Sequence, residues 1–130
     1  MLNTVHPKLP MRNKVIKQDY YVKKLVFTNI SASDYAEYLI LTKDKNEIHF
    51  FLFETLNTNK NYGQVYIRTE NIETIYEYFL KKSVAIHPNG KLETKPWGQK
   101  EFSLLDTDNN LLTFDNQFKN GYKKKRLKVN

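Results

Sequence analysis

The sequence predicts an α+β fold of two βαβββ modules, whose curled mixed sheets enclose a cleft. Strand-like alternation fills most of the chain, and helical periodicity interrupts it in two places. Strand, helix, loop and hairpin then recur in the same order after about 60 residues. The spacing Leu-x-x-Asp-x-Asn, followed two positions later by an aliphatic residue, occurs at both 41–48 and 105–112. Because each half would leave an apolar sheet face uncovered, we expect the two modules to pack together.

Two segments are expected to be helical. From Asn71 to Lys82, apolar residues recur at i, i+3, i+4, i+7 and i+8, with Asn71 as N-cap and Glu73 in the first turn. A second, looser stripe predicts a helix from about Asn13 to Leu25. Its members are Val15, Ile16, Asp19, Tyr20, Tyr21 and Val22.

Strands are expected on either side of the helices. Residues 63–69 alternate, which places Val65 and Ile67 on one face and puts three polar or aromatic residues on the other. Those three are Gln64, Tyr66 and Arg68.

Two hairpins complete the pattern. The first joins 35–42 to 47–53 through a turn at 43–46, and the second joins 102–105 to 111–114 through a turn at 106–110. A long polar loop from Pro88 to Lys100 contains the turn signal Asn89-Gly90.

Composition limits the class of protein. The 130 residues are 40% hydrophobic and 14% aromatic, which suits one folded domain. The absence of cysteine excludes a disulfide framework, a thiolate nucleophile and a zinc finger. No apolar run approaches the roughly 20 residues of a membrane span, and the first residues lack the pattern of a signal peptide. We therefore expect a cytoplasmic protein.

The net charge of +7 is unevenly distributed. Of the 21 Lys and Arg residues, six lie in 119–130 without an acid, so the other 118 residues carry 15 against 14 acids. Such a run can attract phosphates or an anionic membrane, although a solvated end is the more common structure. We expect neither a membrane nor a nucleic acid as partner, and only this basic tail would favour a nucleic acid.

Four segments resemble the glyoxalase/bleomycin resistance/extradiol dioxygenase (vicinal oxygen chelate) superfamily. Residues 6–13 (HPKLPMRN) are similar to its opening strand, and Asp19-Tyr20-Tyr21 to the Asp-Phe-Tyr of its first helix. Residues 96–102 (PWGQKEF) resemble its Trp-Gly-x-x-x-Phe entry into the seventh strand. Residues 106–114 (DTDNNLLTF) stand where members have Asp-Pro-Asp-Gly-Asn-x-x-x-Phe. The greatest similarity is to the short bleomycin resistance-like branch.

The resemblance implies a domain organisation and an assembly. We expect one domain over 1–118, built of modules at about 5–56 and 62–118, with the basic tail at 119–130. It also implies a homodimer in which modules are often exchanged or apposed. It does not decide the chemistry, because this fold includes isomerases, thiol transferases, dioxygenases and non-catalytic drug-binding proteins.

Metal-dependent members of the superfamily use four inward-facing His, Gln or Glu ligands. Three of the corresponding positions here are His6, Gln64 and Thr113. The fourth lies on the closing strand of the first module, which is less securely aligned. The internal repeat assigns it to His49, whereas the alternation could instead point Phe51 inward. Thr113 is a poor ligand for a divalent metal, so a metal site would rest on His6, His49 and Gln64. This set has no carboxylate, and Glu54 and Asp115 are expected to be off register for the inner face. We therefore expect no metal cofactor, and no catalytic residue is assigned.

A metal-free cleft would be a pocket for a small organic ligand, with aromatic walls and a few orienting polar groups. Trp97, beside Gly98, is the first candidate for stacking on a planar ligand. Lys8 and Arg68 on the inner face favour an anionic or neutral aromatic ligand over bleomycin itself. The expected lining consists of Trp97, Gln64, Tyr66, Arg68, His6, Phe51 and Thr113.

Two functions remain open. The first is non-catalytic binding or sequestration of a small molecule, of the bleomycin resistance-like type. The alternative is a metal-dependent lyase, isomerase or dioxygenase with an atypical ligand set.

Overall fold

A computed structural model describes residues 1–116, and residues 117–130, which include the basic tail, lie outside the described part. The first module comprises β1 (Lys8–Met11), α1 (Lys14–Lys23), β2 (Thr28–Asn29), β3 (Tyr38–Lys43) and β4 (Asn46–Leu52). A short 3-10 helix at Thr58–Lys60 precedes the second module. That module comprises β5 (Gln64–Thr69), α2 (Ile72–Lys81), β6 (Glu93–Thr94), β7 (Lys100–Leu105) and β8 (Leu111–Asn116). The predicted α+β fold of two βαβββ modules is confirmed.

The two modules form separate four-stranded mixed sheets with the same topology. The strand orders are β1-β4-β3-β2 and β5-β8-β7-β6, and in each sheet the opening strand runs parallel to the closing strand. Lys8 pairs with His49 in the first sheet, and Tyr66 pairs with Thr113 in the second. His49 and Thr113 are therefore equivalent, as the repeat predicts.

Each sheet packs its apolar face against its own helix. In the first module Phe50 on β4 meets the ring of Tyr21 on α1, with centroids 5.0 Å apart. In the second, Phe79 on α2 packs edge-on against Phe114 on β8 and Phe102 on β7. All five side chains are buried, and they anchor one core that spans both modules.

Both predicted helices are present, but only α2 buries the side that its sequence pattern predicts. Asn71 caps α2 by accepting a hydrogen bond from the Thr74 backbone N–H. Asn13 caps α1 in the same way, but Val15 and Ile16 of the predicted stripe are 74% and 57% exposed. The buried side of α1 is instead formed by Lys14, Lys17 and Tyr21.

Lys17 is buried because a cluster of acids from the second module surrounds it. Its Nζ lies 2.8 Å from both Asp106 and Asp108, which belong to the turn between β7 and β8. Asp108 also accepts a hydrogen bond from Arg12 at 2.5 Å, and Asp106 accepts one from the Tyr21 hydroxyl at 2.7 Å. We call these five residues the ion cluster, and it joins α1 to the far turn of the second sheet.

Two further contacts fasten the modules together. The buried Asn110 side chain donates to the Pro10 carbonyl on β1 at 3.0 Å. The ends of the two helices also exchange hydrogen bonds, because Lys24 Nζ donates to the Lys82 carbonyl at 2.9 Å and Lys82 Nζ donates to the Lys23 carbonyl at 3.3 Å. This exchange follows the internal two-fold relation of the modules. Within residues 1–116, neither helix is long and apolar enough to cross a membrane.

Candidate ligand-binding faces

Each sheet has a second face that no helix of its module covers. On the first sheet this face, which we call the first open face, consists of one alternating set of strand residues. It comprises Lys8, Pro10, Tyr38, Ile40, Glu47, His49 and Phe51. The predicted inward positions His49 and Phe51 therefore do not exclude each other, since residues i and i+2 of a strand share a face.

A chain of hydrogen bonds crosses the first open face. Tyr38 Oη lies 2.6 Å from His49 Nδ1, and His49 Nε2 lies 2.7 Å from the Glu47 carboxylate. Because an ionised carboxylate only accepts, Nε2 donates to Glu47, and in the neutral ring Nδ1 then accepts from the Tyr38 hydroxyl. His6 stacks on His49 at 5.8 Å, and Lys8 Nζ lies 5.4 Å from the Tyr38 ring centroid. The hydrogen bond from His49 lowers the pKa of Glu47.

The second open face carries two buried acids that the sequence analysis did not assign to it. It comprises Gln64, Tyr66, Arg68, Glu93, Glu101, Ser103, Leu105, Leu111, Thr113 and Asp115, and Glu93 pairs with Lys95 at 2.7 Å. Asp115 is fully buried and Glu101 is 7% exposed, and they are direct cross-strand partners. Glu101 accepts a hydrogen bond from the Tyr66 hydroxyl at 2.7 Å.

Asp115 is held by two neighbours. Arg68 Nε donates to one carboxylate oxygen at 3.4 Å, and the Gln99 amide donates to the other. Gln99 follows the turn that contains Trp97, so this contact ties the Trp97 turn to the second open face. Burial, followed by the hydrogen bond to Glu101, raises the pKa of the Tyr66 phenol, which therefore stays protonated.

The expectation that Asp115 is off register was wrong. Thr113 and Asp115 are two residues apart on one strand, and both face the same side. The sequence pattern predicted that the strand ends at Phe114, whereas β8 runs two residues further, to Asn116, so the alternation continues through Asp115. Glu54, by contrast, lies beyond the end of β4 and is exposed.

Trp97 lies at the tip of the turn between β6 and β7 and is 66% exposed. The turn is closed by hydrogen bonds from Lys95 N to the Gln99 carbonyl and from Gly98 N to the Lys95 carbonyl, both 2.8 Å long. Gly98 has φ of 94°, which favours glycine at this position. The turn therefore presents an indole to solvent near the edge of the second open face.

The positions that the superfamily uses for metal do not form one cluster here. His6 and His49 lie against the first sheet, whereas Gln64 and Thr113 lie on the second. Thr113 is paired with Ser103 at 2.9 Å, and both ring nitrogens of His49 are engaged by neighbouring side chains. In residues 1–116 no three His, Asp or Glu side chains are arranged to hold a metal ion.

Comparisons with known proteins agree with this architecture. No family model matches the chain. A structure of a bleomycin-binding protein complexed with bleomycin superposes with a TM-score of 0.79 at 19% identity, covering 90% of this chain and all of that one. A bleomycin resistance determinant encoded on transposon Tn5 gives 0.77 at 18% identity, covering 89% of this chain and 98% of that one.

A third structure, a member of the glyoxalase/bleomycin resistance protein/dioxygenase superfamily from Sphaerobacter thermophilus, gives a TM-score of 0.70 at 18% identity, covering 89% of this chain and 98% of that one. The chain therefore has the fold of the glyoxalase/bleomycin resistance/dioxygenase superfamily.

Sequence similarity points to one branch of that superfamily. Over 53 residues the chain is 36% identical to bleomycin resistance proteins of Geobacillus stearothermophilus and Staphylococcus aureus. The match covers 41% of this chain, and it spans 39% of the length of these curated relatives. The resemblance to the bleomycin resistance-like branch is thereby confirmed.

Proposed function

We propose that this protein binds and sequesters a small organic molecule on its two open faces, without a metal and without catalysis. The observation that carries the proposal is the composition of these faces. They combine rings such as Tyr38, Phe51 and Tyr66 with hydrogen-bonding groups that fixed neighbours hold in place. Ligand sites are usually built in this way, from apolar and aromatic walls with a few oriented polar groups.

The charge of the second open face points to a cationic ligand. Arg68 is half-exposed and contacts Asp115. The hydrogen bond that Glu101 accepts comes from the neutral phenol of Tyr66. Two carboxylates thus face one guanidinium, which leaves excess negative charge on this face. The sequence-based preference for an anionic or neutral ligand depended on Arg68 and Lys8, and neither acid of this face was counted. We therefore propose a cationic, aromatic ligand, with bleomycin as the first candidate.

The test uses the fluorescence of Trp97, the one tryptophan of the chain. Metal-free bleomycin is titrated into the wild type, Glu101→Gln and a matched surface control, Glu77→Gln on α2. We expect a saturable change in the wild type and the control, and binding about tenfold weaker in Glu101→Gln, the usual effect of losing a charged hydrogen-bonding partner. No saturable change, in fluorescence or in melting temperature, would contradict the proposal.

Metal-free binding is tested separately. Metal-stripped protein is titrated with Ni²⁺, Zn²⁺, Mn²⁺ and Fe²⁺ while the melting temperature is followed in the wild type and in His6→Ala. Any ion that binds the folded state must raise the melting temperature by mass action. We expect no saturable rise in either protein. A rise that disappears in His6→Ala would favour the metal-dependent alternative.

The assembly and location are also proposals. We propose a cytoplasmic homodimer in which the open faces of two modules lie opposite each other and form the cleft. The cavity described in the next subsection lies on the helix side of the sheets, so it is not this cleft. Light scattering on the purified chain decides the oligomeric state, and a mass of about 15.5 kDa would exclude the dimer.

A further inference from the structure

A cavity of about 520 Å³ opens between the two modules on the helix side of the sheets. Its mouth lies between the β3–β4 turn and the start of α2, at 43–46 and 68–71. Its floor consists of Phe27, Ile67, Ile75, Phe79 and Phe114. The volume lies within the range of small-molecule pockets. None of these floor residues belongs to the open faces.

The internal two-fold relation gives this cavity a counterpart at the ion cluster. The N-caps Asn13 and Asn71 are equivalent, and so are the paired strand residues His49 and Thr113. By the same offsets, the turn at 43–46 takes the place beside α2 that the turn at 106–110 takes beside α1. The two junctions between the modules can therefore be compared position by position.

In the junction of the ion cluster, the long side chain of Lys17 fills the space. Its ammonium lies 5.4 Å from the Phe50 ring centroid and 5.8 Å from that of Tyr21, and it ends between Asp106 and Asp108. Aromatic faces and carboxylates together stabilise a buried ammonium.

In the open junction, the aromatic positions and one acid remain, but the helix lysine is replaced. Phe114 and Phe79 take the places of Phe50 and Tyr21, and Asp44 takes that of Asp108. Ile75 stands where Lys17 would be, so no ammonium reaches the space from α2. Because isoleucine is shorter than lysine, the space that Lys17 fills in the other junction stays open here.

The turn contacts show the same difference. Asn110 reaches across the filled junction to the Pro10 carbonyl at 3.0 Å. Its counterpart Asn46 donates within its own turn, to the Lys43 carbonyl at 3.4 Å. Asp108 is buried, whereas Asp44 is exposed with a φ of 52°. The turn at 43–46 is thus not drawn against α2.

We infer that this cavity is a second binding site, for an organic ammonium with an unbranched alkyl arm of about the length of a lysine side chain. The ammonium lies near Asp44, and the arm lies along Phe79 and Phe114, as Lys17 does in the equivalent junction. Arg68 at the mouth also belongs to the second open face, but the other lining residues do not, and the ammonium is placed at Asp44. The site therefore does not depend on the function proposed for the open faces.

The other charges at the mouth set the alternative that must be tested. Glu70 adds a second acid, while Lys43, Lys45 and Arg68 are cations. Lys43 Nζ donates to the Val26 carbonyl at 3.3 Å, and Arg68 contacts Asp115 on the second open face. If these three cations dominated, the cavity would favour an anion of the same length.

The probe is n-pentylammonium, and pentanoate and 1-pentanol serve as ligands of matched length with the opposite charge or none. Amide chemical shifts of ¹⁵N-labelled protein are followed during each titration. We expect saturable shifts at 43–46 and 70–75 with the amine. The alcohol and the carboxylate are expected to bind at least about tenfold more weakly, as for the loss of one charged interaction.

Two variants locate the site. In Ile75→Lys the new side chain occupies the cavity as Lys17 occupies its own junction, so amine binding is expected to be lost while the amide spectrum stays dispersed. In Asp44→Asn, an exposed change that leaves the core intact, binding is expected to weaken about tenfold. Asp19→Asn, on the outer side of α1, is the control and keeps wild-type binding.

Three outcomes would overturn the inference: equal or tighter binding of pentanoate, shifts confined to the open faces, or full amine affinity in Asp44→Asn. Failure of bleomycin to bind would leave it standing, because no residue is shared between the two tests.

Discussion

The buried ammonium of Lys17 allows the connection between the modules to be tested by substitution. In Lys17→Met the methylene arm is largely kept and the charge is lost, so Asp106 and Asp108 stay buried without their shared cation. Removal of one partner from a buried ion pair typically costs about 3–5 kcal/mol of unfolding free energy.

The lower end of that range applies here. Asp106 keeps hydrogen bonds from the Tyr21 hydroxyl and the Asn110 amide, and Asp108 keeps Arg12. These contacts continue to stabilise both carboxylates, so we expect a loss of about 3 kcal/mol. For a chain of this size that is a fall of about 10 °C in melting temperature.

Urea denaturation, followed by far-ultraviolet circular dichroism, measures the loss. The matched control is Lys23→Met, whose ammonium pairs with Asp19 at 3.0 Å on the exposed side of the same helix. Such exposed pairs contribute about 0.5 kcal/mol or less. The double variant Lys17→Met/Asp108→Asn should lose less than the sum of the single losses, by about 1 kcal/mol.

The stabilising role of the ion cluster is refuted if Lys17→Met is no less stable than Lys23→Met. It is also refuted if the double variant loses the full sum, because Lys17 and Asp108 would then be energetically independent.

Three further predictions concern the same region. Burial raises the pKa of Asp108, but hydrogen bonds from Lys17 and Arg12 outweigh this effect and hold the pKa below its usual 3.8. The stability that Asp108 contributes is therefore present above about pH 4 and is lost as the pH falls further. In Asp108→Asn the urea midpoint should depend less steeply on pH in the acid range. Burial and then the charge of Asp106 raise the pKa of Tyr20 to about 12. The stability that the neutral phenol contributes is therefore complete below pH 10 and is lost as the pH rises toward 12. The unfolding free energy of Tyr20→Phe should depend less on pH in this alkaline range. In Gly63→Ala the added Cβ would lie 2.7 Å from the Asn110 side-chain oxygen, and the displaced amide should lower the unfolding free energy by about 1–3 kcal/mol, measured in urea.

Much of the fold follows from local patterns in the sequence. The stripe from Ile72 to Phe79 is apolar, so its period identifies both the helix and its buried side. The hairpin turns are equally visible, since the residues that adopt positive φ in them are Asp44 and Asn109, types that tolerate this conformation.

Helix α1 shows where local patterns fail. Its buried side includes Lys17, a residue type that a hydrophobicity pattern assigns to solvent. The acids that make its burial favourable lie almost 90 positions away along the chain, at Asp106 and Asp108. Long-range compensation of charge therefore changed which residues of this helix are buried.

The candidate site was predicted in part, for a related reason. Alternation placed Gln64, Tyr66 and Arg68 on one face, and the structure agrees. The charge of that face depends on where β7 and β8 begin and end, and strand ends are the least certain part of a sequence-based prediction. Extension of β7 to include Glu101 and of β8 to include Asp115 is the reason why we now propose a cationic ligand in place of the anionic or neutral one expected from the sequence.

The lysine exchange at the helix ends has a consequence for local unfolding. Each ammonium donates to the end of the other helix, so separation of the two helix ends breaks the hydrogen bonds of Lys24 and Lys82 in the same opening event. Amide protons in the final turns of α1 and α2 should then exchange with solvent at matched rates, although the two turns are 58 positions apart in the chain. The ends of the two helices would then fray together, whereas the ends of separate helices normally fray independently.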